Sequence, residues 1–189
     1  MNAIGSPYTV AASRRMTPER YEHVLAVAAC AAELAELHGG DRREAETAGL
    51  LHDYARELAA EELLQIAESR GLIRYELERR VPVLLHGPVG AILVRSELGV
   101  ESLSVLRAIE THTVAAPGMD QLAKIIYLAD LIAEGRNCPI AKKLRMVAPD
   151  DLDQALRLAL AFSIRYLLKT GKLIHPQTVA AWNYFLDKR

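Results

Sequence analysis

Between Thr17 and Gly40 the apolar residues Val24, Val27, Ala28, Ala31, Leu34 and Ala35 recur at intervals of three and four. That period gathers them on one face of an α-helix and on no single face of a strand. The ends are punctuated accordingly. Thr17 suits the N-cap, Pro18 the first helical position and Glu19 the positive end of the helix dipole, while Gly39-Gly40 stops the segment. The same pattern recurs down the chain. Asp41 opens a segment with inner positions Ala45, Ala48 and Leu51. Glu61 to Ser69 reads as a short amphipathic helix closed by Gly71, and Tyr75 to Val83 as another. At Leu84 to Ala91 the chain breaks and restarts, with Gly87 and Gly90 permitting close backbone approach, into a helix ending at Gly99. From Ser102 or Ser104 a further helix leads through Leu103, Leu106 and Ile109 to His112-Thr113, and Pro117-Gly118 turns the chain. Asp120 caps Leu122 to Ile132, which Glu134-Gly135-Arg136-Asn137 ends. Pro149 with Asp150 or Asp151 opens a long helix through Leu168, and His175-Pro176 opens the last. No stretch alternates with a period of two over the length of a strand. The expectation is an all-α, single-domain helical bundle over residues 17–189, preceded by a poorly ordered lead, residues 1–16, that contains Gly5, Ser6, Pro7 and Arg14-Arg15.

The 189 residues, 51% hydrophobic with only 5% aromatic, suffice for one sizeable core of Leu- and Ala-rich helices. A net charge of −1 provides no basic field for nucleic acid or a membrane surface, so any polyanion must be met locally. No apolar run approaches the roughly 20 residues that cross a bilayer. Cys30 and Cys138 lie far apart without a CxxC, which points to reduced thiols and a cytoplasmic protein.

The chemistry concentrates at Leu50-Leu51-His52-Asp53, where an apolar lead-in delivers an imidazole and a carboxylate side by side. Buried Asp needs a partner or a metal, so the pair is either an ion-paired structural dyad or half of a metal site. His23 lies upstream at the edge of its apolar stripe, Asp130 lies downstream, and His86 and His112 fall between. Asp130 sits late in its helix, where a carboxylate opposes the dipole unless a cation compensates. Imidazoles and carboxylates are the donor set for Zn, Mn and non-haem Fe, and a helical bundle can converge them from several helices. His23, His52, Asp53 and Asp130 would supply four protein ligands to one ion.

The order H…HD…D, with the surrounding wording, resembles the HD-domain metal-dependent phosphohydrolases and within them the YqeK-type bacterial branch. The blocks are Arg20-Tyr21-Glu22-His23, Gly49 to Arg56, Leu85 to Ala91, His112-Thr113 with Pro117-Gly118-Met119, Lys124 to Asp130, and Lys172 to Pro176. Together they span roughly residues 17–186 in order. The resemblance implies symmetrical hydrolysis of diadenosine tetraphosphate to two ADP by a dinuclear centre with a bridging hydroxide. It also implies that His86 and His112 hold a second ion, with Asp53 shared between the two. The two transition-metal ions per chain would be divalent or mixed-valent, iron foremost, with Mn, Co, Ni or Zn accepted by the same donors. One departure is local: Ala133-Glu134-Gly135 replaces the acidic residue and proline common in the family after the metal Asp.

Phosphates need matching cations, and Arg56 and Arg136, close in sequence to metal ligands, are the expected catalytic and substrate-binding arginines beside Asp53. Thr113 either donates a hydroxyl to phosphate or caps its own helix end, and His175 either walls the substrate site or packs at a helix entrance. The expected partners are a dinucleoside polyphosphate and a second copy in a homodimer. Two rivals stand beside this reading: another nucleotide phosphohydrolase on the same scaffold, and a nucleotide-sensing module without turnover.

Overall fold

A computed structural model describes residues 7–187, and these contain helices and connecting turns but no strand. In chain order the α-helices are α1 (Pro7–Arg15), α2 (Pro18–Leu37), α3 (Arg42–Leu51), α4 (Ala60–Ser69), α5 (Glu76–Arg80), α6 (His86–Leu98), α7 (Leu103–Thr111), α8 (Gln121–Ile132), α9 (Ala141–Val147), α10 (Leu152–Lys169) and α11 (Pro176–Asp187). A 3-10 turn, Pro82–Leu85, leads directly into α6. Capping follows the sequence signals. Thr17 accepts from the Arg20 amide, Asp41 from those of Arg43 and Glu44, Ser102 from Val105, Asp120 from Ala123 and Asp151 from Gln154. Each satisfies an N–H that the helix start would leave unpaired. Ser102 rather than Ser104 therefore starts α7, and Asp151 rather than Asp150 starts α10.

The core is built on α2, α3, α7 and α8. α2 packs on α3 and α8, α3 also meets α7, and α7 lies against both α6 and α8. α10 covers α8 and carries α9 and α11. The main core includes Val24, Val27, Leu51, Ile109, Ile126 and Leu128, all within 1% of complete burial. A satellite core of Ala55, Leu63, Ala67, Leu85 and Val89 fastens α4 under the 3-10 turn and the start of α6.

Two local expectations are corrected, and one further helix, α9, is found. Residues 7–15 form α1 rather than an irregular lead, because Ala12 and Met16 reach the main core and Thr9 is buried with them; Gly5 and Ser6 lie outside the described residues. The helix expected over Tyr75 to Val83 ends at Arg80, and Pro82 starts the 3-10 turn instead, since proline lacks the N–H an α-helix needs there. α9 had no helix-start signal, as Ile140 offers no side-chain cap; burial of Ala141, Leu144 and Ala148 holds it in place.

Gly49 sets how closely the bundle closes. A Cβ there would stand 2.7 Å from Ala28 Cα and 2.9 Å from its nitrogen, so α2 and α3 touch backbone to backbone at this crossing. Gly49→Ala forces the two helices apart. Overpacking against backbone costs about 1–3 kcal/mol, and the roughly 1 kcal/mol of helix propensity regained offsets only part of it. The expected result is a lower melting temperature together with weaker metal retention, because the candidate ligands His23 on α2 and His52 and Asp53 after α3 separate. An unchanged melting temperature would show that the crossing accommodates the methyl.

Candidate metal centre

Six donors reach one place from five elements. His23 comes from the middle of α2, His52 and Asp53 from the end of α3, His86 from the first position of α6, His112 from the end of α7 and Asp130 from the last turns of α8. His52, Asp53, His86 and His112 are each at most 4% exposed. Asp53 stands between two groups of histidines. Its Oδ2 faces His52 Nε2 at 3.6 Å and His23 Nε2 at 4.0 Å, and its Oδ1 faces His86 Nε2 at 3.2 Å and His112 Nε2 at 3.6 Å. Asp130 Oδ1 lies 3.0 Å from His23 Nε2 and 3.9 Å from His52 Nε2. One carboxylate thus presents an oxygen to each half of the cluster.

The backbone fixes which nitrogen points inward. The Nδ1–H of His52 donates to Gly49 O at 2.7 Å, that of His112 to Ile109 O at 2.7 Å, and that of His86 to Val83 O. Each bond reaches back three residues to a carbonyl near the end of its helix or turn. With Nδ1 carrying the proton, the Nε2 lone pair is aimed at the centre, as in metal-ligating histidines whose second nitrogen is pinned. His86 Nε2 and His112 Nε2 are only 2.9 Å apart. Two lone pairs at that distance repel unless a proton or a metal cation lies between them. His52 Nε2 is buried and has no hydrogen-bond partner. These donors therefore fit a metal: they form an inward-facing, cation-seeking cluster, and no uncharged arrangement of the side chains satisfies it.

Electrostatics agree. Burial pushes His52 down to about 4, against the pull of Asp53 and Asp130, so its imidazole is neutral and free to ligate at neutral pH. Burial likewise lowers His86. For His112 burial acts downward too, but the adjacent Asp53 carboxylate and the charge of Asp130 outweigh it, and the net direction is upward. Burial would raise Asp53, yet the surrounding imidazoles of His52, His112 and His86 hold its carboxyl well below the usual carboxylate range. Asp130 is held low in the same way, with His23, His52 and Arg136 overcoming burial.

Gly87 serves the α6–α7 crossing as Gly49 serves the other. A Cβ on it would lie 2.7 Å from Glu110 O and 3.0 Å from Ile109 O, the carbonyl that holds the His112 ring. Gly90 is different, since a Cβ there would meet only ordinary contacts at 3.6 Å and beyond.

A cavity of about 410 Å³ opens on Asp53, His86, His112 and Asp130. Arg20, Arg56, Arg136, Thr113, Tyr127 and Ser163 line it with them. Arg56 and Arg136 thus line the same cavity as the candidate ligands. Arg136 bonds the Asp130 carboxylate and its backbone carbonyl, and lies 3.1 Å from His23 Nε2. It is the cation that offsets a carboxylate placed against the helix dipole, and it survives the altered Ala133-Glu134-Gly135 turn. The Thr113 hydroxyl lies 3.1 Å from both His86 Nε2 and His112 Nε2.

His175 lies elsewhere. It is 3% exposed, its Nδ1 accepts from the Gln177 amide, and its Nε2–H donates to Glu78 Oε1 at 3.1 Å. Glu78 Oε2 in turn accepts from the amides of Arg74 and Tyr75. With both ring nitrogens engaged, His175 ties α11 to the start of α5, a packing role at its helix entrance. His175→Ala would strip a buried carboxylate of one partner, which costs about 2–3 kcal/mol. The melting temperature should fall by about 5–10 °C while metal content stays unchanged; loss of metal instead would return His175 to the site.

Arg20 was missed. Its guanidinium contacts Asp53 Oδ2 at 2.7 Å, and its Nε is buried with no partner. The available signal was position: Arg20 precedes His23 by three residues, one turn back on the same helix face.

Comparison with known proteins assigns this arrangement to a class. The HD domain profile matches residues 20–135. The chain is 40% identical over 176 residues to a symmetrical bis(5'-nucleosyl)-tetraphosphatase of Halalkalibacterium halodurans, covering 90% of this chain and 91% of that protein. It is 38% identical to the same-named protein of Bacillus subtilis, covering 92% and 93%. Among solved structures, one from Clostridium acetobutylicum, described as a predicted HD superfamily hydrolase involved in NAD metabolism, superposes with a TM-score of 0.93 at 35% identity over 96% of each chain. The chain belongs to the HD domain family and, within it, to the branch of these relatives. That family is metal-dependent, and the clusters His23/His52/Asp130 and His52/Asp53/His112 are metal-competent here. No helix of the described residues is long and apolar enough to cross a membrane.

Proposed function

We propose that this protein is a dinuclear metal hydrolase that cleaves diadenosine tetraphosphate symmetrically into two ADP. The observation that carries the proposal is the position of Asp53, one oxygen toward His23 and His52 and the other toward His86 and His112, at the floor of a cavity lined by three arginines. The relatives named as symmetrical tetraphosphatases, aligned over nine-tenths of the chain, support the choice of substrate. One ion would be held by His23, His52 and Asp130, and the other by His86 and His112, with Asp53 shared. Iron is the first choice, and Mn, Co, Ni or Zn suit the same donors. When bound, two such ions supply Lewis acidity that lowers the pKa of water toward neutrality and offsets charge on the attacked phosphoryl group.

The remaining work falls to the chain. Arg56 and Arg136 can pair with non-bridging phosphate oxygens in the planar geometry that guanidinium and phosphate share. The Thr113 hydroxyl can donate to a third. Val83, Leu84 and Leu131 give the cavity an apolar wall that limits water beside the reacting bond. Attack at one inner phosphorus breaks its bond to the central bridging oxygen, so ADP forms on both sides of the cut. No side-chain nucleophile is required, and none is assigned to Ser163, Thr113 or the cysteines.

The test is product analysis. Metal-loaded protein incubated with diadenosine tetraphosphate should release ADP alone at the earliest times by chromatography. AMP with ATP as first products would overturn the symmetric cut, and preferential turnover of nucleoside mono- or triphosphates in a panel would replace the substrate assignment.

A further inference from the structure

A second cavity, of about 610 Å³, lies against the first and shares Arg20 and Arg136 with it. His23 opens into this second space, whereas Asp53, His86 and His112 open into the first. The ligand cluster therefore has a cavity on each side, with the two guanidiniums in the partition. We infer that the larger cavity binds the departing nucleoside diphosphate, and that Arg20 is a further substrate-binding residue, holding the phosphate beside the cut. The inference rests on the proposed symmetrical hydrolysis and assigns the second half of its substrate.

Size requires two compartments. Pockets of roughly 300–1,000 Å³ each hold one drug-sized molecule, and 410 Å³ is room for one nucleoside diphosphate rather than for two joined end to end. The other half must lie outside, and the cavity beyond the Arg20 and Arg136 partition is adjacent to the same reacting centre.

Chemistry orients it. Arg20 already binds an anionic oxygen, Asp53 Oδ2 at 2.7 Å, while its Nε remains buried without a partner. A phosphate oxygen in the partition would complete that guanidinium. The same cavity is also lined by the carboxylates Glu19 and Glu22 on α2, Glu57 and Glu134. Carboxylates repel phosphate and accept hydrogen bonds from ribose hydroxyls and an exocyclic amine. The two arginines, shared with the first cavity, therefore suit the phosphates, and the glutamates, which line this cavity alone, suit the nucleoside. In the hydrolytic step water adds to the inner phosphorus on the first side. The P–O bond to the bridging oxygen breaks, and that oxygen leaves with its electron pair as the terminal phosphate of the second ADP. Arg20 offsets the charge that arrives on it.

Titration calorimetry with ADP tests the inference. Mn-loaded wild-type protein should take up two ADP per chain. Glu22→Trp and Ala26→Trp place a bulky ring in the larger cavity from exposed and half-buried positions of α2; each should bind one ADP and retain wild-type metal content. The Michaelis constant for diadenosine tetraphosphate should rise about tenfold in both. Wild-type uptake of one ADP or none by protein that still cleaves the substrate into two ADP would overturn the second site and leave the proposed activity standing. Two ADP bound by both tryptophan variants would also overturn it. Failure of the wild-type protein to cleave the dinucleotide at all counts against the proposed function instead, so the two failures are distinguishable.

Discussion

Replacing His112 by alanine should leave a folded protein that retains about one tightly held ion per chain and hydrolyses its substrate on the order of a thousandfold more slowly. His112 is one of two histidines facing Asp53 Oδ1, and its Nε2 lies 2.9 Å from that of His86. In the proposed centre the second ion would then keep only His86 and a shared carboxylate, while the first would keep His23, His52, Asp130 and the other oxygen of Asp53. The two proposed sites are thus unequal, and the one with fewer private ligands should empty first. Losing a second Lewis acid removes several kcal/mol of transition-state stabilisation, and each 1.36 kcal/mol is about tenfold in rate. Metal quantification beside circular dichroism and turnover decides the matter. A His112→Ala protein with two ions and near-normal turnover would reduce His112 to a core histidine and remove the dinuclear mechanism.

The largest effect should come from Asp53→Asn. The amide nearly preserves shape, so the fold should persist, but it removes the charge and leaves one oxygen where the cluster uses two. His52, His86, His112 and Arg20 all converge on this carboxylate, and together they hold it ionised despite its burial. In the variant those imidazoles face one another without an anion between them, and two cations can no longer share a ligand. Neither ion should remain after gel filtration, and hydrolysis should fall by more than about ten-thousandfold, since both Lewis acids are lost. Retention of one ion at wild-type affinity would show that Asp53 serves a single site and that the other is built without it.

Most helices were legible because their signals are local. A Thr, Asp or Ser ahead of a three-and-four repeat is physically a capped amphipathic helix wherever it occurs, and Thr17, Asp41 and Asp120 cap as their positions imply. The ligand types were legible too, because ionisable residues on apolar segments, such as His52-Asp53 and Asp130, need an explanation that solvent cannot provide. α1 and α9 were not: α1 lacks a sustained apolar period and is held by Ala12 and Met16 in the core, and α9 follows Ile140, which offers no side-chain cap, and is held by Ala141, Leu144 and Ala148.

Local order along the chain carried the helical class, most of the caps, the candidate ligand types and, through wording shared with a family, the chemistry to expect of them. Which atoms meet was settled only by packing. That Asp53 turns one oxygen to each pair of histidines, that Gly49 and Gly87 let the ligand-bearing helices touch, that Arg20 joins the site and that His175 leaves it for Glu78 are consequences of how helices cross. Period and capping are properties of neighbours along the chain, whereas a crossing depends on the fit of two surfaces far apart in sequence. A single chain of letters carries the first explicitly and the second only through the packed whole.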